Sequence, residues 1–458
     1  MTGRGAPVSG QSLTPFLSAR GRLARMPEGI RVWGERAARA GALDATMGVI
    51  TAPASLLGGE GEAYVIASLP RIREAFSAWE PLEVFPYAPV AGTRGFREGW
   101  RRWIGMKAAG DFSRPGPLEG RLSRPVATAG VSGALAAVGH LVLDPGDPVL
   151  VPDRRWDGYD TTFGTVSGAR VVSVPLLDRT GWDLGAWREA LIGAARERGR
   201  AVCVVNFPHN PTGYAPSEEE AESFARLAAE VPEETGGVVV VVCDDAYEGY
   251  VYADRPRGSI FYRLVDRHPR LLPIKCDGVT KELLFWGGRL GAATTVFHGD
   301  WSEEERTAAE AAWESKLSAV VRGMISSAST PVQTLIGRLL ADPAALIEAR
   351  APLIRSLAER HHAFMRALET SSAREAFRAD PFHGGLFALL NLARGDAVEA
   401  ARILLSGPKI GVVPFGGSGR DLNALRVTYA TVPIDRIEGL VAEAATAARA
   451  SGASPSAT

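Results

Sequence analysis

The chain has 458 residues, of which 51 are basic, 52 acidic and 46% apolar, for a net charge of −1. This length exceeds one ordinary core and predicts two domains or one large α/β domain. The near-zero charge gives no footing for nucleic acid or an acidic membrane surface, and no stretch approaches the ~20 apolar residues of a membrane span.

Residues 1–45 are rich in Arg, Gly and Ala and are expected to wrap or fray. From Leu69 onward, strand-like and helix-like stretches alternate. Pro125–Ala129 reads as a strand, Ser132–Leu143 as a helix, Asp144-Pro-Gly-Asp147 as a turn and Pro148–Val151 as the next strand. Val171–Val174 and Ala201–Val205 are further β-branched runs, Ser217–Ala229 has helical period, and Val238–Cys243 is the clearest buried strand. Leu271–Cys276 and Ala292–Phe297 follow. After residue 303 the texture changes to long helices, Glu303–Arg322 and Pro343–Glu369, and to the strands Gly384–Asn391 and Leu425–Tyr429. Alternating strands and helices imply a mostly parallel sheet covered on both faces. The expected partition is a large α/β domain over 70–335, with 1–69 and 336–458 building a smaller α+β domain. The tail Ser451–Thr458 is small and polar and is expected to be disordered. Cys203, Cys243 and Cys276 lie in or beside strand runs. Their odd number and lack of metal-ligand spacing predict free thiols in a reducing compartment. With no apolar leader segment in view, a cytoplasmic location is expected.

Two segments carry chemistry. One is Asn206-Phe-Pro-His-Asn-Pro-Thr-Gly213. The other begins at Asp244-Asp-Ala-Tyr247, continues to Lys281 and ends at Arg289. The chain has only five lysines, Lys107, Lys275, Lys281, Lys316 and Lys409, so any Schiff-base amine must be one of them. Asp244 directly follows a buried strand, and parallel sheets bind ligands at the carboxyl ends of their strands. Ala129-Gly-Val-Ser-Gly-Ala134 joins a strand to a helix, where free backbone N–H groups bind anions.

On these residues the chain resembles the fold-type I pyridoxal phosphate enzymes, and within them the class I/II aminotransferases similar to aspartate and aromatic aminotransferases. The resemblance covers Met47 to Ala430. It implies that Lys281 carries the cofactor as a Schiff base, Asp244 pairs with the pyridine nitrogen, and Tyr247 and Asn210 hold the ring oxygen. It further implies that Arg289, Gly130, Val131 and Ser132 take the phosphate and that Trp156 stacks on the ring. Lys275 is the rival amine, but it falls inside a strand and lacks the downstream arginine. The family often places a serine three residues before the lysine. Here that position is Gly278, and Thr280 is the expected substitute.

For the substrate, the resemblance assigns the α-carboxylate to Arg426 and a distal carboxylate to Arg322, the latter across a dimer. Tyr87, in Tyr87-Ala-Pro-Val-Ala-Gly92, is implied to reach the phosphate of a neighbouring subunit, so a homodimer is expected. The implied reaction is ping-pong transamination between an amino acid, dicarboxylic or aromatic, and a 2-oxo acid. The same fold also supports pyridoxal phosphate lyases. A ligand-sensing module is disfavoured because residues 1–45 are too short for a DNA-binding head.

Overall fold

The structure, a computed structural model, describes residues 29–75, 80–111, 118, 121–415 and 422–452. It opens with α1 (Ile30–Arg39), which buries Trp33 and Ala37 on one face. The short strand β1 (Leu43–Asp44) follows. Helix α2 (Arg94–Asp111) buries Phe96, Trp100, Trp103 and Ile104, an apolar stripe at helical spacing. Then come β2 (Val126–Thr128), α3 (Gly130–Val142), β3 (Pro148–Pro152) and β4 (Arg170–Val174). After them come α4 (Leu184–Arg198), β5 (Arg200–Val205), α5 (Glu218–Thr235) and β6 (Val238–Asp244). Ser217 and Glu220 close a capping box at the start of α5; such an N-cap stabilises by about 1 kcal/mol.

Strand β7 (Leu271–Gly278) runs two residues beyond its expected end because Asp277 and Gly278 pair with Ala292 and Gly291. The single turn α6 (Val279–Glu282) follows at once, and then β8 (Gly291–Thr295). These strands form one seven-stranded sheet in the order β2-β8-β7-β6-β5-β3-β4. Its β7, β6, β5, β3 and β4 run parallel, and β8 runs antiparallel to both neighbours. The five valines Val238–Val242 occupy the centre of the sheet, where both faces are covered, and all but Val238 are buried.

The long helices α7 (Glu303–Ile325), α8 (Thr330–Leu339) and α9 (Pro343–Leu368) lead to a second, antiparallel sheet. It is built from β9 (Phe377–Ala379) and β10 (Phe387–Leu392), with α10 (Ala397–Ser406) and β11 (Ile410–Gly411) following in the chain, and is completed by β12 (Val413–Phe415) and β13 (Ala424–Thr428) in the order β9-β10-β13-β12. Helix α11 (Ile437–Ala450) closes the described chain. Two apolar cores result. The larger surrounds the parallel sheet and takes in residues from Ile50 to Leu69 and from Leu335 to Leu357. The smaller joins Trp33 and Ala45 to residues between Phe364 and Ala448. Pairing of Leu43 with Ile410 and of Asp44 with Gly411 ties the start of the chain to this second unit. Residues 1–28 and 453–458, part of the segments expected to fray or be disordered, lie outside the described residues. Among the described residues no helix is long and apolar enough to cross a membrane.

Candidate active site

A cavity of ≈ 200 Å³ opens at the carboxyl end of β6, between the parallel sheet and the second unit. Lys281, Asp244, Tyr247, Asn210, Val131, Ser132, Thr280, Trp156 and Arg426 all line it. These residues come from six separate stretches of chain, and folding brings them to one cavity.

At one end, Asp244 is buried at the tip of β6. Burial pushes its carboxyl above the usual range, opposed by a hydrogen bond from Tyr159 and the charge of Lys281. The Tyr159 hydroxyl donates to Oδ2 at 2.6 Å. Asn206 donates to the Asp244 carbonyl at 2.6 Å and accepts from the Asn210 N–H at 2.9 Å, so the turn and the strand tip are locked together. Asn210 reaches the Tyr247 hydroxyl at 3.5 Å. The Lys281 ammonium lies 4.9 Å from the centre of the Tyr247 ring. Trp156 stands edge-on to Tyr159, with ring centres 5.7 Å apart.

At the other end, α3 begins at Gly130 with no side-chain cap, so its first N–H groups have no intrahelical partner. Gly130 has φ 72°, and a Cβ there would come within 2.6 Å of an Arg289 nitrogen. Arg289 donates to the Thr280 hydroxyl at 3.2 Å. Gly278, where the family often has serine, leaves no room for a side chain. A Cβ on Gly278 would lie 2.7 Å from the Leu290 carbonyl and 2.8 Å from the Gly291 Cα. The hydroxyls at this end are those of Thr280 and Ser132.

Arg426 is buried in β13 and forms the lateral wall. It donates to Asn210 at 3.1 Å and to the Thr46 carbonyl at 2.5 Å, while its Nε has no partner. Burial pulls it down to about 10, with the charges of Asp157 and Asp44 opposing. The donor set thus fits pyridoxal phosphate from end to end. A buried carboxylate at one end could pair with a ring nitrogen, an amine lies mid-cavity, and a free helix start with Thr280, Ser132 and Arg289 could hold a phosphate.

Lys275 does not line the cavity. It alternates to the other face of β7 from Cys276, which pairs with Asp244. Its Nζ sits 2.5 Å from Asp245 and 2.8 Å from Glu248. Tyr87 and Arg322 are not brought to the cavity of their own chain. Tyr87 is 92% exposed, and Arg322 is exposed near the end of α7, donating to Ser326 at 3.3 Å. Sequence reasoning gave no role to Tyr159 or Asn206. Asn206 stood in the quoted turn motif, whereas Tyr159, three residues after Trp156, carries no local signal.

The sequence profile of aminotransferase class I and II matches residues 69–443. A probable N-acetyl-LL-diaminopimelate aminotransferase of Bacillus subtilis is 32% identical over 208 residues, 45% of this chain and 47% of that protein. The aspartate aminotransferase of the same organism is 26% identical over 331 residues, 70% of this chain and 75% of that one. The chain therefore spans about half of the first relative and three quarters of the second. Among solved structures, an aminotransferase from Anaerococcus prevotii superposes with a TM-score of 0.78 at 20% identity, covering 94% of this chain and 99% of that one. The chain belongs to the class I and II aminotransferases, a family of pyridoxal phosphate-dependent enzymes of fold type I.

Proposed function

We propose that the protein moves an amino group between an L-amino acid with a large apolar or aromatic side chain and a 2-oxo acid, with Lys281 as the cofactor-bearing amine. The observation that carries this reading is the approach of Lys281 to Tyr247 in one cavity with Asp244 and Arg426. When bound, pyridoxal phosphate supplies a reactive aldehyde and an electron-withdrawing ring.

The chain's own residues do the rest. Asp244, fixed by Tyr159 and the Asn206 amide, would keep a proton on the ring nitrogen. Tyr247 and Asn210 would hold the ring oxygen. Thr280, Ser132, Arg289 and the N–H groups at the start of α3 would anchor the phosphate, and Trp156 would cover the ring. Arg426 clamps the substrate α-carboxylate, which orients the Cα–H bond toward Lys281. The Lys281 amine would then take the Cα proton as general base and, as general acid, hand it to the cofactor's aldehyde carbon rather than back to Cα.

The side-chain preference rests on the lining. Ile30, Met47, Val49, Trp156, Trp286 and Phe387 face the cavity, and Arg426 is the one guanidinium among the described lining residues. A wider cleft of ≈ 930 Å³, walled by Ile30, Met47 and Trp156 and by the charged Glu35, Asp44, Asp157 and Arg289, adjoins it. The inner lining favours the aromatic over the dicarboxylic part of the expected range. A distal-carboxylate role for Arg322 would require a second copy. Leu82, Phe85 and Tyr87 are 88, 83 and 92% exposed within six residues, which supports a homodimer in which Tyr87 serves the partner's site. Free buried thiols at Cys203, Cys243 and Cys276 support a reducing, cytoplasmic setting.

The test is to load the purified protein with pyridoxal phosphate, add single amino acids and follow the change in cofactor absorbance with release of the keto acid. Phe, Tyr, Trp or Leu should convert it stoichiometrically and Asp or Glu more weakly. Failure of every amino acid would remove the transaminase reading, and a clear preference for Asp and Glu would overturn the apolar assignment.

A further inference from the structure

Behind the cavity lies a buried ionic lattice that the reaction as described does not use. Asp245, Glu248, Asp277 and Glu282 face the ammonium groups of Lys107 and Lys275. The side chains of all four acids and of Lys275 are at most 4% exposed. Glu248, Asp277 and Glu282 bring oxygen atoms within 4.8 Å of one another. Lys107 fills the cation position among them, 2.6 Å from Glu248, 2.6 Å from Glu282 and 3.7 Å from Asp277. Three residues of one face of α2 supply the cover, as Trp100 donates to Asp277 at 2.8 Å and Trp103 to Glu282 at 2.6 Å alongside Lys107. Such a lattice is costly to bury and is weak evidence for stability as such.

Its placement gives it a use. Two of its acids are the chain neighbours of the two reacting residues: Asp245 follows Asp244, and Glu282 follows Lys281. Lys281 rides on α6, a turn of four residues. One turn has no helical stability of its own, because nucleation is unfavourable until several bonds form. Its backbone is tied to the residue before β8 through the Val279 N–H, which donates to the Leu290 carbonyl at 3.0 Å, and side chains grip the rest from outside. The Tyr250 hydroxyl donates to the Lys281 carbonyl at 2.6 Å, and Glu282 is gripped by Trp103 and Lys107.

We propose that Glu282, with Lys107 and Tyr250, positions Lys281, fixing from the far face of the sheet the single turn that carries the cofactor amine. Glu282 and its partners touch neither substrate nor cofactor. They act through the backbone of residues 281–282. Displacing a reacting group by about 1 Å costs roughly 100-fold in rate, so loss of the grip appears in turnover before it appears in binding.

The inference rests on Lys281 being the cofactor amine, and its test has one arm free of that premise. Glu282→Gln keeps the shape and an oxygen for Trp103 but removes the charge that holds Lys107. In the cofactor-free protein, amide exchange at Leu283, Leu284 and Phe285 should accelerate by about tenfold or more. In the loaded protein, kcat per bound cofactor should fall by about tenfold or more while KM stays within about threefold. Tyr250→Phe, which deletes one hydrogen bond and no charge, should show the same split and decides the matter if Glu282→Gln does not fold. Wild-type exchange together with wild-type kcat per bound cofactor, even with a lowered melting temperature, would make the lattice merely structural and overturn the proposal. A wild-type protein that takes up no pyridoxal phosphate would sink the aminotransferase reading, while the exchange arm would still judge the anchoring.

Discussion

Tyr159 and Asp244, 85 positions apart in the chain, meet at 2.6 Å on the cavity floor, hydroxyl to carboxylate. Asp244 is a buried acid, and this bond is the strongest of the interactions that favour its charged form, ahead of the Lys281 charge and the Ala246 N–H. Tyr159→Phe removes that donor. A hydrogen bond to a charged group contributes about 1.5–3 kcal/mol, so kcat/KM is expected to fall roughly ten- to a hundredfold. Faster loss of cofactor on dialysis should accompany it. Steady-state kinetics and retained absorbance check this, and an unchanged kcat/KM would contradict it.

Arg426 presents a buried guanidinium whose Nε has no partner. Arg426→Lys keeps a cation but loses the fork that matches a carboxylate. KM for the amino acid is expected to rise by about tenfold or more, with cofactor binding retained. A KM equal to that of the wild type, measured with the preferred amino acid, would remove Arg426 from the substrate site.

Asp277 gives a prediction in pH. Burial pushes its carboxyl from the ordinary range up to about 7, with the charges of Lys275 and Lys107 opposing. The folded state therefore keeps a proton that the unfolded chain has released. The stability this contributes is full below about pH 4 and is lost as pH rises through about 7. His209, His361 and His383 act in the opposite sense below their ordinary value, because burial holds them neutral at about 3, about 4 and about 4. The comparison with Asp277→Asn at each pH cancels that background. The variant should gain on the wild type by on the order of 2 kcal/mol from pH 5 to pH 8. Melting temperatures across that range check it, and a constant difference would show that Asp277 does not titrate there.

Leu82, Phe85 and Tyr87 leave an apolar surface in water. If a second copy covers it, the double variant Leu82→Asp/Phe85→Asp should shift the protein toward monomer in light scattering. It should also weaken cofactor retention, because Tyr87 would no longer reach the partner. A variant that remains dimeric places the interface elsewhere.

Most of the sheet was legible because its strands are short β-branched runs bounded by turn residues. Val238–Asp244 and Arg200–Val205 differ from their expected limits by one residue at one end. The cofactor wall was legible because Lys281, Thr280 and Arg289 are close in sequence and keep a recognisable spacing. Helix α1 was not, since only Trp33 and Ala37 are deeply buried among its apolar residues and its stripe is too narrow to stand out. The Tyr159–Asp244 bond and the lattice around Lys107 were also hidden. Their partners are separated by 85 to 179 residues, and no local pattern announces a pairing made only by the folded chain. Gly278 shows the converse. The sequence flagged it as a missing hydroxyl, and the packing of β7 against β8 explains why no side chain fits there.

The central claim is that Lys281, and no other lysine, joins the cofactor. Reducing the pyridoxal phosphate-loaded protein with borohydride and mapping its peptides by mass tests this most directly. The account predicts one phosphopyridoxyl group per chain, on residue 281. The label on Lys275, or on no lysine at all, would contradict it.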